Sequence, residues 1–194
     1  MAVINQVGNA LTGSTGSGAF VGANTPTLIT PVIGAATGTS LAFSPTTGGI
    51  IGTTTNDSAG AGYVGEVISS SVVAGSAISL TTSTVANVTS ISLTAGDWDV
   101  NGVVQISGTA TAMLLCGCGV SITSATRALS SDTNGSSAFD LTAGAPSAVG
   151  DRVLSAAGAR ISLSATTTVY LVAQATFSGG TGIAWGRIVA RRAR

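Results

Sequence analysis

Between Asp97 and Ser107 the chain reads D-W-D-V-N-G-V-V-Q-I-S, and its apolar residues keep to alternate positions. Trp98, Val100, Val104 and Ile106 share one face of an extended backbone, while Asp99, Asn101 and Gln105 share the other. A pleated strand imposes that period, whereas a helix would scatter the same residues around its circumference. Gly102 interrupts the apolar face and predicts a bulge or a close backbone approach. Trp98 is one of two tryptophans and the largest apolar side chain available to seed a core. The other, Trp185, stands in the last strand-like stretch, G-I-A-W-G-R-I-V-A, and is expected in the same core.

Further strands are predicted at intervals: Tyr63–Val73, Ser76–Thr82, Asn87–Leu93, Ala110–Thr123, Ser137–Thr142, Arg160–Ser164, Thr167–Phe177 and Gly182–Arg192. In Thr167–Phe177, Val169, Leu171, Ala173 and Ala175 alternate with Tyr170, Val172, Gln174 and Thr176. Both faces are largely apolar there, which predicts a central strand covered on both sides. Asn134-Gly135 and Gly179-Gly180 are hairpin signals. The alanine-rich stretch Ser147–Ala159 is expected to be a loop with one helical turn at most. Many short strands at such spacing predict an all-β fold, a jelly-roll-like β-sandwich over residues 63–194. A domain of that size can bury roughly two-thirds of its unfolded surface and fold alone.

Residues 1–62 read differently. They are rich in Gly, Thr and Pro, so no helical period survives, and Asn56–Gly62 reads as a hinge. No Asp, Glu, Lys or Arg occurs before Asp57, yet Leu, Ile, Val and Phe recur throughout. Disordered linkers normally carry charge and few apolar residues. The combination predicts an extended arm that needs other polypeptides to cover it, with Phe20, Leu28, Ile29, Val32 and Ile33 as the anchoring side chains. Losing one such buried anchor would cost about 2–5 kcal/mol.

Charge is scarce everywhere. Charged residues make up 7% of the chain, against about a quarter in ordinary soluble domains. A surface of Ser, Thr, Asn, Gly and Ala is poorly protected by charge against self-association, which points to burial against copies of the chain or a larger assembly. Arg187, Arg191, Arg192 and Arg194 close the sequence. They make too short a basic run to predict nucleic-acid binding, and Arg191, Arg192 and Arg194 are expected to solubilise a terminal strand or to pair with acids of a neighbouring copy. Met1–Ala10 lacks the basic and apolar regions of a secretory leader, and no apolar run suggests membrane insertion.

Chemistry is hard to find. The chain has no histidine, the commonest general base, and no lysine for a Schiff base or a phosphate loop. Cys116 and Cys118 stand two apart in M-L-L-C-G-C-G-V, a spacing that suits two buried thiols and not a zinc site. Asp97 and Asp99 could pair as in glycoside hydrolysis, but periodicity puts Trp98 on the opposite face, so a structural role is expected. Glu66, the one glutamate, has no partner visible in sequence. The expectation is a protein that is not an enzyme and carries no catalytic residue, cofactor or metal.

Two groups of motifs carry a resemblance. The segment V-G-N-A-L-T-G-S-T-G-S-G-A-F-V-G-A-N-T-P-T-L-I-T-P-V-I-G resembles an N-terminal module of tailed-bacteriophage fibre and other virion proteins. Y-V-G-E-V-I-S-S at Tyr63–Ser70, V-T-S-I-S-L-T-A-G-D-W-D-V at Val88–Val100, R-I-S-L-S-A-T-T-T-V-Y-L at Arg160–Leu171 and the ending R-I-V-A-R-R resemble phage C-terminal domains. The resemblance implies a virion structural protein made in the bacterial cytoplasm. It further implies a homotrimer with a jelly-roll-like head on an intertwined stem. Its expected partners are its own copies, capsid or tail proteins, and a host-surface glycan or protein. A short fibre is the reading these features favour, and a capsid decoration protein whose arm lies across shell subunits is the alternative.

Overall fold

The alternation read from Asp97 onward continues through most of the domain. In a computed structural model, residues 54–109, 112–128, 134–141 and 151–194 are described. They hold nine strands: β1 (Val67–Val72), β2 (Ile78–Leu80), β3 (Val85–Leu93), β4 (Gly96–Gly108), β5 (Ala112–Ser121), β6 (Gly135–Leu141), β7 (Arg152–Leu163), β8 (Thr167–Ser178) and β9 (Gly182–Arg192). A short 3-10 turn, Ala74–Ser76, follows β1. The expected anchors Phe20, Leu28, Ile29, Val32 and Ile33 lie outside the described residues.

All pairing is antiparallel. One sheet runs β1-β9-β4-β7, with β2 also on β9, and the other runs β3-β8-β5-β6. The two pack face to face as a β-sandwich, and each contributes one apolar face to a shared core. Trp98, Val100, Val104 and Ile106 of β4 meet Val169 and Leu171 of β8 there, all six at most 1% exposed. Ile161 of β7, Ile188 of β9, Ile91 and Leu93 of β3, and Val120 of β5 complete it. Cys116 and Cys118 point into the same core as buried thiols.

Gly102 owes its identity to the opposite sheet. A β-carbon there would lie 2.5 Å from Leu171 Cδ1 and 3.6 Å from Val120 Cγ2. The predicted bulge exists beside it, in the partner strand: between Val100 and Gly102 of β4, β7 advances from Ala159 to Ala156.

Four expectations need correction. The stretch Ser147–Ala159, read as a loop up to Arg160, contains most of β7 from Arg152 onward. The bulge at Ala157 and Gly158 shifts the phase, so inward Leu154 and Ala156 and inward Ala159 and Ile161 fail to make one period. Trp185 is not in the core. It is half-buried at an outward position of β9, while inward Ala184, Ile188 and Ala190 are fully buried. Gly179 and Gly180 have φ of +62° and +70°, but they turn the chain from one sheet into the other and form no hairpin within a sheet. Asn134-Gly135 does not form a tight hairpin either, because Gly135 opens β6 and the chain between β5 and β6 is longer than such a turn. On β8, Val172 is fully buried from the side opposite Val169 and Leu171, as its two apolar faces anticipate.

The close approach of Leu171 sets a first test. Gly102→Ala is expected to destabilise the domain by about 1–3 kcal/mol through overpacking. The check is the urea midpoint, with an unchanged transition slope.

Candidate interaction face and terminal charge clasp

Two features stand out on the β1-β9-β4-β7 sheet, one at each end of its strands. The first is a knot of charges where the domain begins and ends. Alternation along β9 places Arg192 on the inward face, after Ile188 and Ala190, at 5% exposure. A guanidinium cannot be left there without partners. Its Nε donates to Glu66 Oε2 at 2.9 Å, its Nη1 donates to the carbonyl of Ala95 at 2.9 Å, and its Nη2 donates to Thr94 Oγ1. The plane lies 4.2 Å from the centre of the Trp98 ring, a cation–π contact. Trp98 in turn donates its indole Nε1–H to the carbonyl of Thr94 at 2.9 Å, so the buried ring has no unmet donor.

Backbone bonds draw the same pieces together. Gly65 N–H donates to the Arg192 carbonyl at 3.0 Å, and Arg192 N–H donates to the Glu66 carbonyl at 2.9 Å. Gly62 N–H donates to Glu66 Oε2 at 2.9 Å. That bond first, and Arg192 second, hold the Glu66 carboxyl below its ordinary value. Residues 62–66 are thus fastened to the last residues of β9. Gly96 is required beside the knot, because a β-carbon would fall 2.3 Å from Arg192 Nη1.

Asp97 forms the outward half of the clasp. It is 5% exposed, accepts from Arg160 Nη2 at 3.0 Å, and also accepts from Arg194 Nε. The Ser162 hydroxyl, followed by Arg160 and Arg194, pulls its pKa down to about 2. A carboxyl held that low remains ionised and is a poor proton donor near neutral pH. Asp99 is exposed on the same outer face, opposite Arg160 and Arg191 in register. Asp97 is therefore engaged structurally, with Trp98 on the far side of the strand. Arg192 and Arg194, expected to solubilise a terminal strand or to pair with acids of a neighbouring copy, find acids of their own chain instead.

The second feature lies further along the same sheet. Outward Trp185 and Arg187 of β9, Val103 and Gln105 of β4, Val153 of β7 and Val73 after β1 surround a shallow apolar trough of about 370 Å³. Val73 and Val153 are each 65% exposed and Val103 is 44% exposed. Gln105 Nε2 donates to Asp151 Oδ2 at 2.8 Å along the rim. Sequence reasoning missed this face because Trp185 was assigned inward; the parity of Ala184, Ile188 and Ala190 is the signal that would have found it.

Among the described residues no group of three His, Cys, Asp or Glu could hold a metal ion, and no helix is long and apolar enough to cross a membrane. No protein-family model, curated protein or solved structure matches the chain.

The clasp makes stability depend on acid. Asp97 has a folded pKa of about 2 against an ordinary 3.8, so its contribution is complete above the higher value and is lost as pH falls toward the lower. Thermal melting points are expected to drop between about pH 4 and pH 2. In Asp97→Asn the melting point should be lower at neutral pH and the drop over that window smaller.

Proposed function

We propose that this chain is a non-enzymatic structural protein of a bacteriophage virion. In this reading it is a homotrimeric short fibre or spike, attached by residues 1–62 and carrying an outward jelly-roll domain. The strand order is the observation that carries the reading. With short β2 set aside, the strands pair in nested fashion: β1 with β9, β3 with β8, β4 with β7 and β5 with β6. A long antiparallel ribbon rolled on itself has that nesting, and rolling sets β9 beside β4 and β8 beside β5. That order supports reading the β-sandwich as a jelly roll, an architecture frequent in viral capsid domains.

Two further observations support the assignment. Only 7% of residues are charged, and none of these precedes Asp57, which suits a chain covered by other polypeptides. Asp97, one of the two acids that could suggest hydrolysis, is committed to Arg160 and Arg194, and Glu66 is committed to Arg192. Mixed-sign contacts of that kind stiffen a scaffold, and an Asp97 carboxyl held down to about 2 is a poor proton donor near neutral pH.

Quantitative mass spectrometry of purified particles tests the proposal. The chain is expected as a stoichiometric component at a multiple of three copies, a few dozen or fewer. Hundreds of copies would replace the fibre with a head-decoration role, and absence from intact particles would contradict a virion protein altogether.

A further inference from the structure

We infer that the outer face of the β1-β9-β4-β7 sheet is the contact between copies of this chain, with the Trp185 troughs turned toward a common axis and Arg187 of each copy facing Asp151 of the next. The inference rests on the homotrimer reading and supplies the surface that would build it.

The face has the composition of an interface centre. Trp185, Val73, Val103 and Val153 form one apolar patch across neighbouring strands, while the other exposed large apolar side chains among the described residues are Tyr63, Val64, Val67, Leu114 and Ile122. Contiguous exposed apolar area bounded by polar groups marks association sites, and a half-buried tryptophan is a typical anchor. None of these four side chains carries charge, so they can meet their own counterparts near a symmetry axis without like-charge repulsion.

The rim decides what kind of partner fits. Arg187 is exposed on β9, and Asp151 is exposed at the entry to β7. β4 runs between those two strands, so the opposite charges flank the patch on opposite sides. In a ring of copies, one side of each subunit meets the other side of its neighbour. The arginine side of one patch then faces the aspartate side of the next, and the contact is complementary to itself. A foreign acidic or basic partner would find only half of this rim attractive. Of the other arginines on this sheet, Arg160 and Arg194 are engaged by Asp97, and exposed Arg191 lies toward the far end of β9 opposite Asp99 in register. Gln105 holds one Asp151 oxygen and leaves the carboxylate anchored in position at the rim.

The test uses the full chain and a short bismaleimide. Cys116 and Cys118 are buried, and burial pushes the Cys118 thiol up to about 11, so neither competes for the reagent in the folded protein. In Asp151→Cys/Arg187→Cys, cross-linking is expected to give covalent dimers and trimers on a denaturing gel, while each single variant stays largely monomeric. Trp185→Ser, with unchanged circular dichroism, is expected to raise the concentration for half-dissociation about 30-fold or more. A wild-type trimer that Trp185→Ser leaves intact, and that the double variant fails to cross-link, would overturn this surface and leave the homotrimer reading standing. A wild-type dimer that cross-links through the double variant would keep the surface and overturn the threefold reading. A wild-type monomer would overturn both.

Discussion

Nearly every connection in this domain leaves one sheet and enters the other. β2 to β3, β3 to β4, β4 to β5, β6 to β7, β7 to β8 and β8 to β9 all cross the sandwich, and β5 to β6 joins strands that pair with each other. Apart from β5 and β6, no strand therefore pairs with its neighbour in sequence. What makes the arrangement hold is the apolar seam between the sheets, where Trp98, Val104 and Ile106 press on Leu171 and Val120 from across the core. Gly102 marks how close that packing is, since Leu171 occupies the space a side chain would need. Such a topology is rich in contacts between distant residues, which makes it slow to form and cooperative once formed.

The ends of the domain share that logic. β1 and β9 are the first and last long strands, and they lie side by side. Arg192 closes the join by binding Glu66, Thr94, Ala95 and the face of Trp98 at once. A buried ion pair taken alone is weak evidence for stability, because desolvation opposes it. Here the guanidinium also stacks on the largest core side chain and satisfies a turn carbonyl, so its role is to fix where the chain enters and leaves.

The strands were legible because one residue in two is apolar and the sheet faces are unequal. Trp98, Val100, Val104, Ile106, Val169 and Leu171 followed from that period alone. Where the period broke, the reading broke: the bulge at Ala157 and Gly158 hid the first half of β7 behind an alanine-rich stretch that looked like a loop. Trp185 misled for another reason. Size suggested the core, but the parity of Ala184, Ile188 and Ala190 puts it outside, and parity outranks size in a strand. Partner choice was invisible. Glu66 and Arg192 are 126 residues apart, and alternation says which way a side chain points without saying what it meets. The one available hint was an arginine at an inward position near the chain's end, which had to find a carboxylate.

Native-state hydrogen exchange in low urea examines the interlocked sandwich most directly. If the sheets depend on each other as described, the slowest amides of β4 and β8 will open with the same free energy and converge on the global unfolding line. Loss of protection in β8 at urea concentrations where β4 remains closed would mean the sheets are separable, and the account of one seam holding the whole domain would be wrong.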